Sequence, residues 1–426
     1  MSPPFEQPET TALAWWQRLA RHRLLEFAVV ALALASVARL AWVLPSRATE
    51  NDFAHYYVTS RMVWEGKNPY VAPLAPEYAR YGLVFEKEVG TATNPPPLQW
   101  WFLPWALLPP RVAWWGWLAA QVVCLGVVLG LTRRLLRGRL NARGWRFVCA
   151  GAVLSATVYW HFYYSQMQLL LAALVLAAYC WYRTGRPTAA GVTVTVASLL
   201  KLYPLALLPW FVWGRDHSAG ARVKRAVMVA ALAIVVVVLT GPSRWVQFFQ
   251  VGVPSLAADA TNRTFNFNLP ALVANLGCAA YHFSPPPEVA RTWWVVGSVL
   301  GGLVLLLVYG GCWRSAGRDP EAEFCLLCIA MLIASGKASG TYLVFVIFPM
   351  AVAAARLAAR PSLAGVIFYG GLLVALNDLD TRATPFLDRH LYGKIFVNYI
   401  PLYGLVALGI FFANELRRSK TVGAAR

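Results

Sequence analysis

Long apolar runs separated by short polar segments occupy almost the whole chain. A bilayer core of about 30 Å is crossed by a helix of about 20 mostly apolar residues, so such runs predict transmembrane helices. The pattern predicts twelve spans, at residues 24–44, 112–132, 146–162, 166–182, 188–200, 203–213, 224–241, 291–313, 321–335, 341–357, 362–377 and 395–416. We therefore predict an all-α polytopic membrane protein in which residues 1–426 form a single transmembrane domain.

Basic residues concentrate in some of the segments between spans, and this predicts the orientation of the chain. Three such segments contain Arg133, Arg134, Arg137, Arg139, Arg143 and Arg146, then Arg215, Arg222, Lys224 and Arg225, and finally Arg417, Arg418 and Lys420. Because cytoplasmic loops carry an excess of Arg and Lys, we predict that these segments and both termini are cytoplasmic, in a bacterial inner membrane. The net charge of +19 is thereby assigned to membrane topology and not to nucleic-acid binding.

Three long segments are predicted on the outer side, at residues 46–96, 241–290 and 377–394. The first mixes acidic and aromatic residues, a composition typical of short helices at a membrane surface, and the second is predicted to lie over a cavity. We interpret the proline-rich segment 95–110 as re-entrant or interfacial. A full span there would move the arginine-rich segment that follows it to the outer side.

A polar interruption divides one apolar stretch at Lys201-Leu202-Tyr203-Pro204. A lysine at bilayer depth costs about 2.5–3.5 kcal/mol on insertion scales, and proline removes a backbone donor, so this sequence needs a polar partner or cavity. Non-helical backbone at membrane depth is tolerated where it lines a cavity. We predict that the half-length helices 188–200 and 203–213 meet at a water-accessible pocket near the outer face.

Polar side chains collect at the outer ends of the predicted spans. They are Asp52, His55, Tyr56, Gln166, Gln168, Lys201, Asn262, Arg263, Lys337 and Tyr342. One acid together with several cations and amides is the set needed to transfer a sugar from a lipid phosphate to a hydroxyl group. The acid accepts the proton of the attacking hydroxyl, and the cations stabilise the charge that grows on the departing phosphate.

The order of these motifs resembles glycosyltransferase family 87. The resemblance rests on Asp52-Phe53-x-x-Tyr56-Tyr57, Gly66-x-x-Pro69-Tyr70, Gln166-x-Gln168, Lys201-x-x-Pro204, Asn262-Arg263-Thr264 and a serine-containing segment at 335–342. Members are membrane enzymes of the GT-C fold and include the polyprenyl-phosphate-mannose-dependent mannosyltransferase of phosphatidylinositol mannoside synthesis. The resemblance covers nearly the whole chain.

This resemblance implies a hexosyltransferase that inverts the anomeric centre and uses no metal or cofactor. Its donor would be a polyprenyl-phosphate sugar, mannose by the resemblance, and its acceptor a lipid-linked or membrane-proximal glycan on the periplasmic side. Asp52 would be the general base, and the other polar residues would contact substrate. The chain departs from the family pattern in four places: Ser165 and Gln168 replace Gly and Asn, Arg263 replaces Gln, and the late segment has Lys337 and Tyr342 where many members have histidine.

Two other functions remain open from sequence alone. A lipid or sugar transporter or flippase would also place a lysine and broken helices at a central cavity, although paired symmetric halves would be expected and Asp52 would have no role. A non-catalytic assembly protein that keeps the fold is the second. For His55 a packing role in the loop is favoured over a catalytic one, although it is kept among the candidate substrate contacts. Asp378-x-Asp380 is interpreted as a solvated turn, not a metal site.

Overall fold

The computed structural model of the chain describes residues 23–47, 51–84, 90–213, 218–255, 266–281, 286–315, 319–377 and 397–424. These residues form helices joined by short loops, and no β-strand occurs in the ranges given. Apolar surface is exposed along several of the longest helices, as expected for helices that face lipid. The predicted class, an all-α polytopic membrane protein, is confirmed.

Six helices in the described part are long and apolar enough to cross a membrane. They are α1 (Arg23–Val43), α5 (Pro110–Leu135), α11 (Ala219–Thr240), α14 (Pro287–Ser315), α16 (Ile347–Ala359) with the 3-10 turn Gly340–Val346 before it, and α18 (Ile400–Ala424). Shorter apolar helices pack among them. These are α8 (Gln168–Arg183), α9 (Pro187–Leu200), α10 (Leu208–Trp213) with the 3-10 turn Tyr203–Leu207 before it, α13 (Leu269–Cys278) and α17 (Leu363–Ala375).

Four short helices lie in or beside the segment 46–96, which the sequence predicts on the outer side. They are α2 (Asn51–Trp64), α3 (Ala75–Arg80), α4 (Pro96–Ala106) and α12 (Pro242–Gln247). Helix α4 has 11 residues, so it is about 16 Å long and too short to cross a core of about 30 Å. Helix α2 packs on α4 through Phe53, whose ring meets the ring of Phe102 edge-on at 5.9 Å. This packing fixes the start of α2, where Asp52 lies.

The predicted span 146–162 is wrong in one respect, because the chain forms two helices there, α6 (Ala142–Leu154) and α7 (Ala156–Tyr163). Ser155 between them has extended backbone (ψ 132°) and caps α7 by accepting a hydrogen bond from the Val158 amide at 3.2 Å. The Ala156 amide donates to Asn377 Oδ1 at 2.6 Å, so it is satisfied outside the helix. The apolar pattern could not show this break, because serine is compatible with either arrangement.

The two ends of the helix bundle differ in chemistry. At one end, α15 (Pro320–Ala334), α16 and α18 are joined by Arg356, which pairs with Asp319, Glu321 and Glu415. We call this the basic end; it also contains Arg139, Arg314, Arg360, Arg417 and Arg418. The opposite ends of α15 and α9 lead to Ser335 and Lys201, and we call this the site end.

Candidate active site

Asp52 lies in the first turn of α2, at the site end of the bundle. A carboxylate there is favoured by the helix dipole. Its Oδ2 accepts a short hydrogen bond from Gln166 Nε2, and the side chain is half-buried. Its other oxygen accepts no hydrogen bond from the part of the chain that the structure describes. One oxygen of Asp52 is therefore anchored, and the other is available to a hydroxyl group.

A chain of hydrogen bonds extends from Asp52 into the bundle. Gln166 Oε1 accepts from Gln168 Nε2 at 3.1 Å and from the Tyr56 hydroxyl at 3.4 Å. Gln168 Oε1 in turn accepts from the Tyr203 hydroxyl at 3.2 Å. We call Asp52, Gln166, Gln168, Tyr56 and Tyr203 the polar chain. Burial and the nearby Asp52 charge raise the pKa of Tyr56, so its hydroxyl stays protonated and able to donate.

Lys201 lies beside the polar chain at the end of α9. Its backbone is extended (φ −149°, ψ 135°), and α9 ends there as the Lys201–Pro204 sequence predicts. Its Nζ lies 6.0 Å from the centre of the Tyr56 ring and 5.7 Å from that of Tyr342. These distances are within the range of cation–π attraction. The structure therefore brings Lys201, Tyr56 and Tyr342 together. Tyr56 also contacts Gln166, which holds Asp52.

Ser165 produces the bend that aims Gln166 at Asp52. Its φ of 51° lies in the left-handed region, and it is the only non-glycine residue with positive φ in the described ranges. Trp114 Nε1 donates to Ser165 Oγ at 3.1 Å, and Trp117 Nε1 donates to its carbonyl oxygen at 3.0 Å. A residue other than glycine in this conformation costs about 1 kcal/mol or more, and the two tryptophans offset that cost.

The segment between α15 and α16 supplies the late part of the site. The Phe267 amide donates to the Ala338 carbonyl at 2.8 Å, which joins this segment to the chain that enters α13. Lys337 is half-buried in the segment, five residues before Tyr342. Asn262 and Arg263 lie outside the described residues, so their predicted contact with substrate stays a prediction. The described chain resumes at Asn266, four positions after Asn262.

His55 occupies a different environment from its neighbour Tyr56. The Thr93 amide faces His55 Nε2 at 3.5 Å, and His55 Nδ1 lies 2.9 Å from the Tyr78 hydroxyl. Since Nε2 accepts from an amide, Nδ1 carries the proton of the neutral ring and donates it to Tyr78. Burial raises the pKa of Tyr78, and the Asp52 charge raises it further. His55 therefore joins α2 to α3 and to the chain that leads into α4. Its predicted contact with substrate stays a prediction.

Sequence reasoning missed three polar residues: Tyr203 in the polar chain, and the buried pair His161 and Gln121. Tyr203 was seen only as part of the helix break, although its hydroxyl ends the polar chain. His161 and Gln121, fully buried in α7 and α5, form a separate pair with Nε2 and Oε1 3.1 Å apart. Single polar residues inside apolar spans were the available signal for His161 and Gln121. Tyr203 gave none, because tyrosine is common at membrane interfaces.

The comparison with protein families gives a match over more than half of the chain. The model of glycosyltransferase family 87 matches residues 92–336. A comparison with curated proteins found no match. The matched region contains Gln166, Gln168 and Lys201; Asp52 precedes it and Tyr342 follows it. With its helical membrane architecture, the chain belongs to glycosyltransferase family 87 and is a membrane glycosyltransferase.

Proposed function

We propose that the protein transfers a hexose, mannose, from a polyprenyl-phosphate donor to a lipid-linked or membrane-proximal glycan acceptor. The observation that carries the proposal is the polar chain, which joins the half-buried Asp52 through Gln166 to Tyr56, one of the two tyrosines that hold Lys201. A single carboxylate linked in this way to a fixed cation matches a reaction in which the acceptor must lose a proton while the leaving group departs as an anion.

Asp52 acts as the general base in this proposal. The acceptor hydroxyl gives its proton to the oxygen of Asp52 that Gln166 does not hold. The hydroxyl oxygen then bonds to the anomeric carbon, and the bond from that carbon to the phosphate oxygen breaks. The electron pair leaves with the polyprenyl phosphate, which needs no protonation. One displacement inverts the anomeric centre, and no step requires a metal.

Lys201 stabilises the departing phosphate. The faces of Tyr56 and Tyr342 hold its ammonium group in place while leaving its charge intact. Further contacts to the phosphate or the sugar come from Lys337, which lies in the same segment as Tyr342, and from Arg263 and Asn262. Gln168, anchored by Tyr203, completes the polar wall on the side of α8.

The active site faces the exterior of the cell in this proposal. Arginine-rich segments lie at the basic end of the bundle, and the polar chain lies at the site end. If the basic end is cytoplasmic, as the distribution of Arg and Lys favours, the donor is used on the outer leaflet of a bacterial inner membrane.

The proposal is tested with purified protein in lipid nanodiscs supplied with radiolabelled polyprenyl-phosphate-mannose and a membrane glycolipid extract. We expect labelled glycolipid to accumulate, and polyprenyl-phosphate-glucose to be a poor donor in the same assay. Transfer of glucose in preference to mannose would overturn the sugar assignment. Movement of labelled lipid across a liposome bilayer without any new product would support a transporter in place of a transferase.

A further inference from the structure

An apolar groove of about 710 Å³ runs along the outside of the bundle, between α13, α14, α15 and α18. It is separate from the polar chain, and none of the polar-chain residues lines it. Its walls are formed by aliphatic side chains such as those of Leu272, Val304, Ile329, Leu402, Val406 and Ile410. A continuous apolar groove on a membrane protein accommodates the hydrocarbon chain of a lipid.

Two arginines close the groove at the basic end. Arg314 is in the last turn of α14, and Arg417 is near the end of α18. Neither forms an ion pair with any residue of the described ranges. Arg356 and Arg360, on α16 and just after it, pair with carboxylates of the chain. Arg314 and Arg417 are the two cations that line the groove, and both are available to an anion from outside the chain.

The dimensions of the groove fit a lipid chain that starts at these arginines. From Arg417 to Leu402 the groove follows α18 for fifteen residues, about 22 Å, within a core of about 30 Å. Gly311 and Gly409 lie on its walls, and a Cβ added at Gly311 would meet nothing within 4 Å. The absence of side chains at these positions keeps the groove open for the chain.

We propose that this groove binds a phospholipid with an acidic headgroup, with the phosphate on Arg314 and Arg417 and an acyl chain along α18. Cationic sites between transmembrane helices select anionic headgroups, and each arginine near the membrane surface contributes about fivefold in affinity. The site is distinct from the polar chain and does not depend on the sugar or donor proposed above. The lipid is a structural ligand that joins α14 to α18.

The test is a titration of purified, delipidated protein with phosphatidylglycerol or phosphatidylcholine, followed by native mass spectrometry and thermal unfolding. We expect tighter binding of phosphatidylglycerol and a larger rise in Tm. Arg314→Gln combined with Arg417→Gln should weaken phosphatidylglycerol binding by roughly thirtyfold and leave phosphatidylcholine binding unchanged. Arg133→Gln combined with Arg137→Gln removes the same charge at the basic end away from the groove and should retain the preference.

A second pair of variants tests the groove itself. Gly311→Leu fills it, whereas Gly310→Leu places the same side chain on the neighbouring exposed position outside it. We expect the first to lose binding of both lipids and the second to bind as the wild type does. Equal binding of the two lipids by the wild type, or an unchanged preference in the double arginine variant at the groove, would overturn the proposal. The wild type could instead form a dimer that does not depend on phosphatidylglycerol and that Gly311→Leu separates into monomers. That result would overturn the proposal and assign the groove to a second copy of the chain.

Discussion

At the scale of single residues, the position of Gln166 depends on the unusual backbone of Ser165. Glycine adopts a φ of 51° at little cost, and the family motif has glycine at this position. This chain keeps the bend with serine and adds the hydrogen bond from Trp114. The departure from the motif therefore leaves the geometry of the site in place.

Substitutions at Ser165 separate the bend from the hydrogen bond. Ser165→Gly relieves the backbone and loses the Trp114 bond, two effects of about 1 kcal/mol that oppose each other, so we expect stability and turnover close to the wild type. Ser165→Val forces a β-branched residue into the left-handed region and should cost about 2 kcal/mol or more. Thermal unfolding and transfer assays measure both. Equal loss in the two variants would show that the bend is unimportant.

Lys201 offers a test of phosphate stabilisation. Lys201→Gln removes the charge between Tyr56 and Tyr342, and we expect kcat/KM for the lipid donor to fall by about 10–100-fold. Lys201→Arg should recover part of this loss because it restores the charge with a different geometry. Lys224→Gln removes an exposed lysine near the start of α11 and serves as the control. A Lys201→Gln variant as active as that control would exclude the lysine from the reaction.

The sequence predicted that Asp52, Gln166 and Lys201 lie at helix ends on the same side of the bundle, but it did not predict their contacts. The helix boundaries and the distribution of Arg and Lys were enough for the first, because they fix which end of each helix a residue occupies. The hydrogen bond from Gln166 to Asp52 joins positions 114 residues apart, and no local pattern encodes such a pairing. His55 shows the opposite case, since its neighbours in sequence did not reveal Tyr78 and Thr93.

At the scale of helices, one break was predictable and the other was not. The break at Lys201 was visible because a charge and a proline interrupt an apolar run. The break at Ser155 depends on Asn377, which comes from a distant part of the chain and satisfies the Ala156 amide. A break caused by residues at the break itself can be predicted from the sequence. A break that depends on a residue from a distant part of the chain requires the structure.

A cluster of charged side chains stabilises residues 51–84, the segment that carries Asp52. Hydrogen bonds from Tyr81, Lys67 and Arg80 lower the pKa of Glu65 to about 2. Arg80 also reaches Glu77 in α3. These contacts join the end of α2 to α3 and therefore support the helix that begins with Asp52.

The cluster predicts a dependence of stability on pH. Because the pKa of Glu65 is lower in the folded state, its contribution is complete above the ordinary pKa of about 4.3 and is lost as the pH falls towards 2. The cluster is partly exposed, so Glu65→Gln should cost only about 1 kcal/mol at neutral pH. Thermal unfolding should show a smaller difference from the wild type at about pH 3. A difference that does not change with pH would contradict this account, and the exposed Glu288→Gln provides the control.

At the scale of the whole molecule, the ion pairs of the basic end hold the bundle together. Arg356 is only 14% exposed and pairs with three carboxylates from α18 and the start of α15. Removing its charge would leave Asp319, Glu321 and Glu415 close together without their shared partner. Removing one partner of a buried ion pair strongly destabilises the folded state, because the remaining charges are still desolvated.

Two arginine variants test this role. Arg356→Gln should destabilise the protein by about 3–5 kcal/mol, whereas Arg360→Gln should cost less than about 1 kcal/mol. The side chain of Arg360 is 65% exposed and reaches Glu415 alone, at 3.4 Å. Thermal unfolding in detergent compares the two. Similar losses of stability would show that the network contributes no more than a surface pair.

The central claim is that Asp52 removes the proton from the acceptor. The most direct measurement is single-turnover transfer from polyprenyl-phosphate-mannose by Asp52→Asn, beside the exposed Glu288→Gln as a control acid. Asparagine keeps the shape of the side chain but cannot accept the proton, so the rate should fall by about 10²–10⁴-fold while donor binding persists and the control keeps its rate. An Asp52→Asn protein that transfers the sugar as fast as the wild type would contradict the account.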